Sequence, residues 1–471
     1  MEENHKRKKA MWRLRPNERR ALLLIGDFAI AWAALAGAVY IWAIAMVQER
    51  PLLEFIRLRM ETWFFLLPVV WLILLIDSYD QRTSTDLNRT LRSVSTSALV
   101  GSGIYLVIYF ASDASLPRRG VAAFLGIVYL LTLLWRLIYI RIFSAPQFMH
   151  SVMLVGAGET GSAILQVLDQ IQAPFNLVGL IDDAPEKQGE LIHGFRVMGT
   201  GDQLLVLAEA NNISEIIVAI SGKMLPETFQ TLLEAQERGI QITRMPVSYE
   251  ELLERVPVQY LEADWILRSF VDEARVSSFY SGFKRLIDII GGLVGVLSLV
   301  VIAPLISLGI LIESGRPIVF TQTRAGRGGL PFRIYKFRTM HVSDNDNEME
   351  MTKEDDIRVT PFGRILRKTH LDEWLQFFNV LRGDMSLVGP RPELPRLVDH
   401  FQSHIPFYRA RLLVKPGIAG WAQIHLNYAA NIDETRIKLE YDLYYIKHRN
   451  LWMDITILLR TFASVIGFRG R

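Results

Sequence analysis

The 471-residue sequence contains no cysteine. This absence excludes a disulfide framework, a thiolate metal site and a cysteine nucleophile. The chain also lacks a charge of one sign. Its 52 Lys and Arg against 49 Asp and Glu leave a net charge of +3, which gives no whole-molecule case for binding nucleic acid. Charged residues are scarce at 21% and hydrophobic ones make up 50%, a balance that points to membrane segments. The length suggests two or three domains.

The basic residues are uneven. Met1–Arg20 holds eight Lys and Arg ahead of the first apolar run. That run, Ala21–Val47, is too long for the core of a signal peptide and has no convincing cleavage site, so it reads as a retained anchor. Three more apolar segments follow, at Thr62–Ile76, Ala98–Ala111 and Val121–Phe143. The second and third are short for a span of ~20 residues. Taken as four helices, they put the basic amino terminus, the Ser78–Thr96 loop and everything after Phe143 in the cytoplasm. Asp27 is costly in lipid and is expected to face the bundle or an interface.

At Ser151 the composition becomes that of an α/β unit. The strand SVMLV leads into Gly156, Gly158 and Gly161 in G-x-G-x-x-G spacing, then a helical stretch, then FNLVGLIDD. Asp182 stands where the ribose-binding acid of a dinucleotide fold would sit. Strand and helix patterns alternate to IQITRM, so residues 148–262 are read as a Rossmann-like domain, with 263–282 as a linker. Gly156, Gly158, Gly161 and Asp182 are its candidate nucleotide contacts, the nucleotide being unidentified. A dehydratase or epimerase built on this loop needs a Tyr-x-x-x-Lys pair; Tyr280 and Lys284 have the spacing but lie beyond the unit, and the match is read as coincidence.

A second apolar stretch runs from Lys284 to about Ile312 and contains Pro304, which removes a helical hydrogen bond. A spanning helix here would part the last domain from the cytoplasmic Rossmann-like unit. The expectation is therefore a re-entrant hairpin over about 284–313, with Lys284 and Arg285 at anionic headgroups and Asp288 as an ionic or capping partner.

In the last domain, Phe332–Met340 reads as a strand whose period of two puts Lys336 and Arg338 on one face. Ser343–Asp356 is an acidic loop. Thr369-His-Leu-Asp372 has capping-box spacing, so Asp372 and Glu373 fall at a probable helix start, where capping and catalysis are equally open. Arg364 and Arg367 precede the acids, and Arg391 follows on a stiff Gly-Pro-Arg-Pro turn suited to bidentate phosphate contact. Pro416–Gln423 is a glycine-punctuated loop. Glu440, Asp442 and Asp454 are expected to be part-buried with arginine partners.

Phe283–Arg471 resembles the bacterial sugar transferase family of polyprenyl-phosphate sugar-1-phosphate transferases, also called monotopic phosphoglycosyl transferases. The resemblance rests on ordered motifs: KRLID at 284–288, YKFRTM at 335–340, LDE at 371–373, NVLRGDMSLVGPRP at 379–392, KPGIAGWAQI at 415–424 and EYDLYYIKHRNLWMDI at 440–455. With the amino-terminal helices and the Rossmann-like unit, the chain looks like the larger members that begin exopolysaccharide, capsule or O-antigen repeat units. The implied fold class is a membrane α-helical bundle (1–147), an α/β Rossmann-like domain and an α+β monotopic catalytic domain (283–471) with a re-entrant membrane hairpin.

The implied reaction moves a sugar 1-phosphate from a UDP-sugar, with glucose or galactose favoured, to undecaprenyl phosphate in the bacterial cytoplasmic membrane and releases UMP. By the family's mechanism Asp372 is the nucleophile, Glu373 shares Mg2+ with it, and Arg367 and Arg391 handle phosphate. Lys336, Arg338, Gln423, Asp454, Lys284 and Arg285 are candidate substrate contacts. The expected partners are the UDP-sugar, undecaprenyl phosphate and the lipid bilayer, without nucleic acid; a second copy of the chain is admitted. Trp374-Leu375 and Ala419 depart from residues common in the family. Two rival readings are a membrane-anchored nucleotide-sensing scaffold with an inactive last domain and a membrane-tethered UDP-sugar dehydratase.

Overall fold

The computed structural model describes residues 16–46, 62–79, 84, 86–111, 118–143, 150–171, 173, 175–261, 278–341, 358–426 and 431–466. The chain divides into two compact units, Met1–Met245 and Pro246–Arg471.

In the first unit, α1 (Pro16–Met46) packs along α4 (Arg118–Phe143). Buried Ala31, Ala34 and Ala38 recur at helical spacing, and Gly26 leaves room for the Trp135 indole, so the backbones approach closely. Two of the four expected spans, Arg20–Ile44 and Gly120–Ile142, are long and apolar enough to cross a membrane; Phe279–Ser314 is the third such helix among the described residues. The second expected span is a 3-10 turn, Thr62–Leu66, followed by α2 (Leu67–Leu74), an apolar stretch shorter than a span. The third, α3 (Leu87–Ala111), begins inside the stretch read as a loop. Its serines fit a helix because neighbouring segments take their hydroxyls. Ser97 donates to the Leu74 carbonyl at 2.7 Å, and Ser93 and Ser95 bond Ser78 at 2.6 Å and Tyr129 at 3.1 Å.

Asp27 does face the bundle. It pairs at 2.6 Å with Arg136 of α4, whose other nitrogen donates to the Ser78 carbonyl at 2.8 Å. Both side chains are within 1% of complete burial, so removing one alone strands an opposite charge at a cost of about 3–5 kcal/mol. Asp27→Ala is therefore expected to lower the thermal midpoint in detergent well below that of Asp27→Ala/Arg136→Met. Equal losses in the two variants would contradict the pairing.

The α/β part of this unit contains β1 (His150–Val155), α5 (Glu159–Gln170), β2 (Phe175–Ile181), β3 (Leu191–Ile192), β4 (Phe195–Gly199), α6 (Leu204–Ala210), β5 (Glu215–Val218), α7 (Pro226–Glu237) and β6 (Gln241–Arg244). The sheet order is β3-β4-β2-β1-β5-β6, parallel except for the β3–β4 pair. Strands β1 and β2 read as apolar runs because a parallel sheet is covered on both faces.

The second unit opens with the rest of α8 (Met245–Leu253), a segment that the sequence reading had placed in the Rossmann-like domain. Residues 246–260 pack on α13 (Trp421–His425) and α14 (Ile432–His448). Trp421 Nε1 donates to the Glu254 carbonyl at 3.0 Å, Val256 N–H to the Glu440 carbonyl at 3.1 Å, and Lys447 and His448 meet Glu250 at 3.0 and 2.8 Å. Glu440 pairs with Arg255 at 3.3 Å, but burial wins and pushes its carboxyl up to about 7.

A carboxyl whose folded pKa is raised stabilises the fold fully below its unfolded value and loses that contribution as pH rises through the folded one. The thermal midpoint of the wild type is therefore expected to fall relative to Glu440→Gln between pH 5 and 8. Parallel pH profiles for the two proteins would refute this.

Helix α9 (Ser278–Ser314) is one 37-residue helix that runs through Pro304, where the sequence pointed to a break. Ser278–Gly282 already belong to it, whereas the earlier part of the expected linker and the acidic Ser343–Asp356 stretch lie outside the described residues. One side of α9 is apolar and open, with Ile290, Val294, Leu297, Val301, Leu305 and Ile312 all more than half exposed. Its other side lies on the unit. Gly291, Gly292 and Gly295 admit Leu387, Leu381 and Phe377, and Gly309 admits Phe362. Near the carboxyl end Glu313 accepts from Phe362 N–H at 2.9 Å.

Beyond α9 come the antiparallel pair β7 (Val319–Ala325) and β8 (Pro331–Phe337), α10 (Pro361–Lys368), a 3-10 turn at Leu371–Glu373 and α11 (Gln376–Arg382). Then β9 (Ser386–Val388), α12 (Pro395–Gln402) and β10 (Gly417–Ala419) precede α13, α14 and α15 (Leu451–Ile466). The core gathers Val380, Met385, Val388, Tyr408, Trp421, Leu443, Tyr445 and Ile457.

Candidate active site

The two acids are held by local geometry other than a capping box. Thr369 closes α10, bonding back to the Ile365 and Leu366 carbonyls at 2.9 and 3.1 Å. His370 then takes a left-handed conformation (φ 56°), and Asp372 sits in the middle of a three-residue 3-10 turn. A helix dipole contributes little to its ionisation, because so short a turn has almost no dipole. The capping threonine here is Thr360, which accepts from Gly363 N–H at 2.9 Å at the start of α10.

Three neighbouring segments bring basic residues to this turn. Lys336, on β8, bonds Glu373 Oε1 at 2.7 Å. Buried Asn379 clamps that strand to α11, donating to the Arg333 carbonyl at 2.7 Å and accepting from Tyr335 N–H at 3.4 Å. Arg391 grips Glu373 in a fork, with Nη1 to Oε2 at 3.1 Å and Nη2 to Oε1. Arg367, on α10, is steadied by Thr339 Oγ1 at 3.0 Å.

The Arg391 turn is fixed by backbone contact. Gly389 N–H bonds the Ala419 carbonyl at 2.9 Å and Gly417 N–H the Pro390 carbonyl at 3.0 Å. A Cβ on Gly389 would collide with the Lys415 carbonyl, so glycine is needed on this turn.

The adjacent acids are therefore unlike. Burial opposes charge on Glu373, but Arg391 and Lys336 prevail and hold its carboxyl well below the usual range. Asp372 is pushed up to about 6 by burial and by Glu373, against the pull of Lys336, Arg367 and Arg391. It is 8% exposed, and among the described residues no hydrogen bond or ion pair engages its carboxylate. An anionic nucleophile facing cations is equipped to act at a phosphorus atom whose oxygens those cations hold.

For magnesium the fit is narrower than the sequence suggested. Both Glu373 oxygens are covered by Lys336 and Arg391, and among the described residues no group of three or more His, Asp or Glu could hold a metal ion. The arrangement fits an ion that takes Asp372 as its protein ligand and phosphate and water as the rest, a habit of magnesium.

Several candidate contacts are committed elsewhere. Arg338, one residue past the end of β8, caps the carboxyl end of α9, donating to the Ser314 and Gly315 carbonyls at 2.7 Å. Arg285 likewise caps α11 through the Val380 and Leu381 carbonyls, both at 2.8 Å. Neither it nor Lys284 turns out to headgroups. Lys284 meets Asp454 at 3.0 Å, and Tyr280 donates to the same carboxylate at 2.8 Å, which gives the Tyr-x-x-x-Lys spacing a structural cause. Tyr445 also donates to Asp454, at 2.8 Å. Asp288 accepts from Ser386 Oγ and Leu387 N–H, each at 2.9 Å, fastening α9 to β9. Gln423 bonds the Ile418 carbonyl at 3.3 Å and leaves its own buried oxygen unpaired.

The sequence reading missed the support behind Arg391. Arg411 donates to the Arg391 carbonyl at 3.0 Å and pairs with Asp442 at 2.8 Å and Glu393 at 3.4 Å. Lys438 adds a contact to Glu393 at 2.5 Å, and Arg324 donates to the Pro392 carbonyl at 3.3 Å.

Residues 279–468 match the family model of the bacterial sugar transferases, and residues 74–246 match that of a CoA-binding domain. A UDP-N-acetylgalactosamine-undecaprenyl-phosphate N-acetylgalactosaminephosphotransferase of Aeromonas hydrophila is 40% identical over 234 residues, 49% of this chain and 55% of that one. A UDP-glucose:undecaprenyl-phosphate glucose-1-phosphate transferase of Caulobacter vibrioides is 40% identical over 188 residues, 39% of this chain and 69% of that one. A galactosyl transferase of Streptococcus agalactiae is 41% identical over 195 residues, 39% of this chain and 42% of that one. The chain thus spans about half the length of the first of these relatives.

Proposed function

The chain belongs to the bacterial sugar transferase family, and on that premise we propose that it transfers a sugar 1-phosphate from a UDP-sugar to undecaprenyl phosphate at the cytoplasmic face of the bacterial inner membrane. The observation that carries this reading is the buried carboxylate of Asp372, engaged by no hydrogen bond or ion pair among the described residues and set in the field of Lys336, Arg367 and Arg391. An Asp372 oxygen attacks the phosphorus that bears the sugar. The bond from that phosphorus to the UMP oxygen breaks and UMP leaves with the electron pair. An oxygen of the lipid phosphate then attacks the aspartyl phosphosugar, freeing Asp372 and forming the lipid diphosphosugar. Arg391 and Lys336 keep Glu373 in place and, with Arg367, hold phosphate oxygens. Magnesium, bound through Asp372 and the donor, would neutralise diphosphate charge.

The arrangement of α9 supports a monotopic placement. Lys284, Arg285 and Asp288 near its start and Glu313 and Ser314 at its end all bond the same unit, while its open side is apolar. A perpendicular span would carry the two ends to opposite membrane faces. A re-entrant or in-plane helix keeps both ends with their partners and buries the open stripe in one leaflet.

The names of the relatives include three sugars, so the sugar is best tested directly. Membranes containing the protein, magnesium and undecaprenyl phosphate are expected to release UMP from at least one of UDP-glucose, UDP-galactose and their N-acetylated counterparts. Release from none of them would overturn the assignment.

A further inference from the structure

Two cations of the second unit are left without a partner. Among the described residues no hydrogen bond, ion pair or ring contact engages the side chain of Lys415 or that of Arg327. Both nevertheless stand close to further positive charge. A Cβ on Gly383, the left-handed residue (φ +92°) that ends α11, would lie 3.5 Å from Lys415 Nζ and 3.6 Å from Arg285 Nη2. Arg327, on the turn between β7 and β8, acts on Lys415 and also on Arg449, just past α14. Burial first, then Arg285 and Arg327, lower the Lys415 ammonium from the usual lysine range against the pull of Asp288 and Asp384.

The nearby acids do not answer this charge, because each is engaged elsewhere. Asp288 accepts from Ser386 Oγ and Leu387 N–H at 2.9 Å, Asp384 lies 3.8 Å from Arg382, and Asp454 takes Lys284, Tyr280 and Tyr445. The backbone around both cations is fixed. Ser386 N–H bonds the Pro416 carbonyl at 2.8 Å, next to Lys415, and Gly326 N–H bonds the Leu330 carbonyl at 2.8 Å across the Arg327 turn. Like charges held together in this way oppose one another, and an anion between them offsets the repulsion.

The surroundings indicate what carries that anion. Leu330, three residues after Arg327, is 73% exposed, and Leu413, two before Lys415, is 49% exposed. On the first turns of α9 the rings of Phe279 and Phe283 lie 4.7 Å apart and open to solvent, and Leu286, next to Arg285, is open as well. Unpaired cations among exposed apolar side chains suit the headgroup level of a bilayer. A free phosphate would leave the open leucines and phenylalanines without a cause. The patch is also separate from the transferase centre. Helix α11, seven residues and so about 10 Å long, runs from the Asp372 turn to Gly383.

We propose that Lys415 and Arg327 bind the headgroup phosphate of an anionic phospholipid of the bilayer, with its acyl chains against Leu286, Leu330 and Leu413. Arg285, whose two Nη nitrogens are on the Val380 and Leu381 carbonyls, adds positive field without contact. The inference requires the start of α9 to lie at headgroup level and does not depend on the transfer reaction.

The test titrates the full chain, in an uncharged detergent, with phosphatidylglycerol, with phosphatidylcholine of the same acyl chains and with undecaprenyl phosphate, and counts bound lipid by native mass spectrometry. Phosphatidylglycerol is expected to bind in preference to phosphatidylcholine. Arg327→Gln/Lys415→Gln should lose one phosphatidylglycerol per chain or hold it at least about tenfold more weakly. Its lipid-free thermal midpoint should not fall, since no contact within the protein is removed. Arg327→Glu, at an exposed turn, should weaken binding likewise, and it decides the matter if the double variant does not fold. Lys223→Gln/Arg244→Gln removes two exposed cations of the first unit and should bind as the wild type does, which separates a site from a response to net charge. Wild-type phosphatidylglycerol binding in the folded Arg327 and Lys415 variants, or an equal loss in Lys223→Gln/Arg244→Gln, overturns the proposal. Loss of undecaprenyl phosphate alone overturns it too, by assigning the two cations to the acceptor.

Discussion

Asp372→Asn is expected to reduce sugar-phosphate transfer by at least about a thousandfold, the scale on which losing a covalent nucleophile acts. The substitution keeps the size and planarity of the side chain and removes its charge. No packing is lost, so the protein should remain folded with an unchanged thermal midpoint. Glu373 cannot take over, because Lys336 and the Arg391 fork occupy both of its oxygens. Two readouts separate the nucleophile from a mere charge. The first is UMP release. The second is retention of label on the protein when a UDP-sugar carrying 32P next to the sugar is supplied without lipid acceptor. The wild type should retain label and Asp372→Asn should not. Near-normal UMP release by Asp372→Asn would remove Asp372 from the chemistry and with it the proposed two-step mechanism.

The sequence made some levels of this protein legible and hid others, for reasons visible in single residues. The Rossmann-like sheet was readable because β1, β2 and β5 are apolar runs, and the glycine loop falls between β1 and α5 as expected. Asp372, Glu373, Arg391 and Lys336 were picked out from spacing and motif, and the structure brings them together. The Thr369–Asp372 pattern misled because a capping box is a local signal, and α10 simply runs far enough for Thr369 to become its end. Arg338 and Arg285 misled for a different reason. A helix end presents unpaired carbonyls, which attract a guanidinium much as phosphate does, and no local pattern distinguishes the two targets. The partners of Arg285 lie 95 and 96 residues away in sequence. Arg136, which settles the fate of Asp27, is 109 residues from it. Such pairings are decided by tertiary packing, which sequence spacing does not encode.

Arg411 marks the same gap nearest to the chemistry, and its removal is expected to have a large effect on stability. Its side chain and that of Asp442 are each 2% exposed, and they meet at 2.8 Å. Tyr408 and the Arg391 carbonyl occupy further donors of the same guanidinium, at 2.8 and 3.0 Å. Burial opposes charge on Glu393 as well, yet Lys438 and Arg411 hold its carboxyl down at about 2. Arg411→Met would leave the buried Asp442 carboxyl, whose pKa burial already raises, without its main partner and deprive Glu393 of one of its cations, a loss of about 3–5 kcal/mol. In a domain of this size that is a fall of about 10 °C in the thermal midpoint. Adding Asp442→Leu should restore part of the loss, since the pair is then replaced by apolar volume. Arg411→Lys keeps a charge but cannot reach Asp442, Tyr408 and the Arg391 carbonyl together, so it should fold better than Arg411→Met and still turn over slowly, because the Arg391 turn is no longer anchored from behind. A midpoint within about 2 °C of wild type for Arg411→Met, small beside the expected shift, would show that the network does not hold this part of the fold. Wild-type kcat in Arg411→Lys would show that the Arg391 turn is set by the Gly389–Gly417 backbone contact alone.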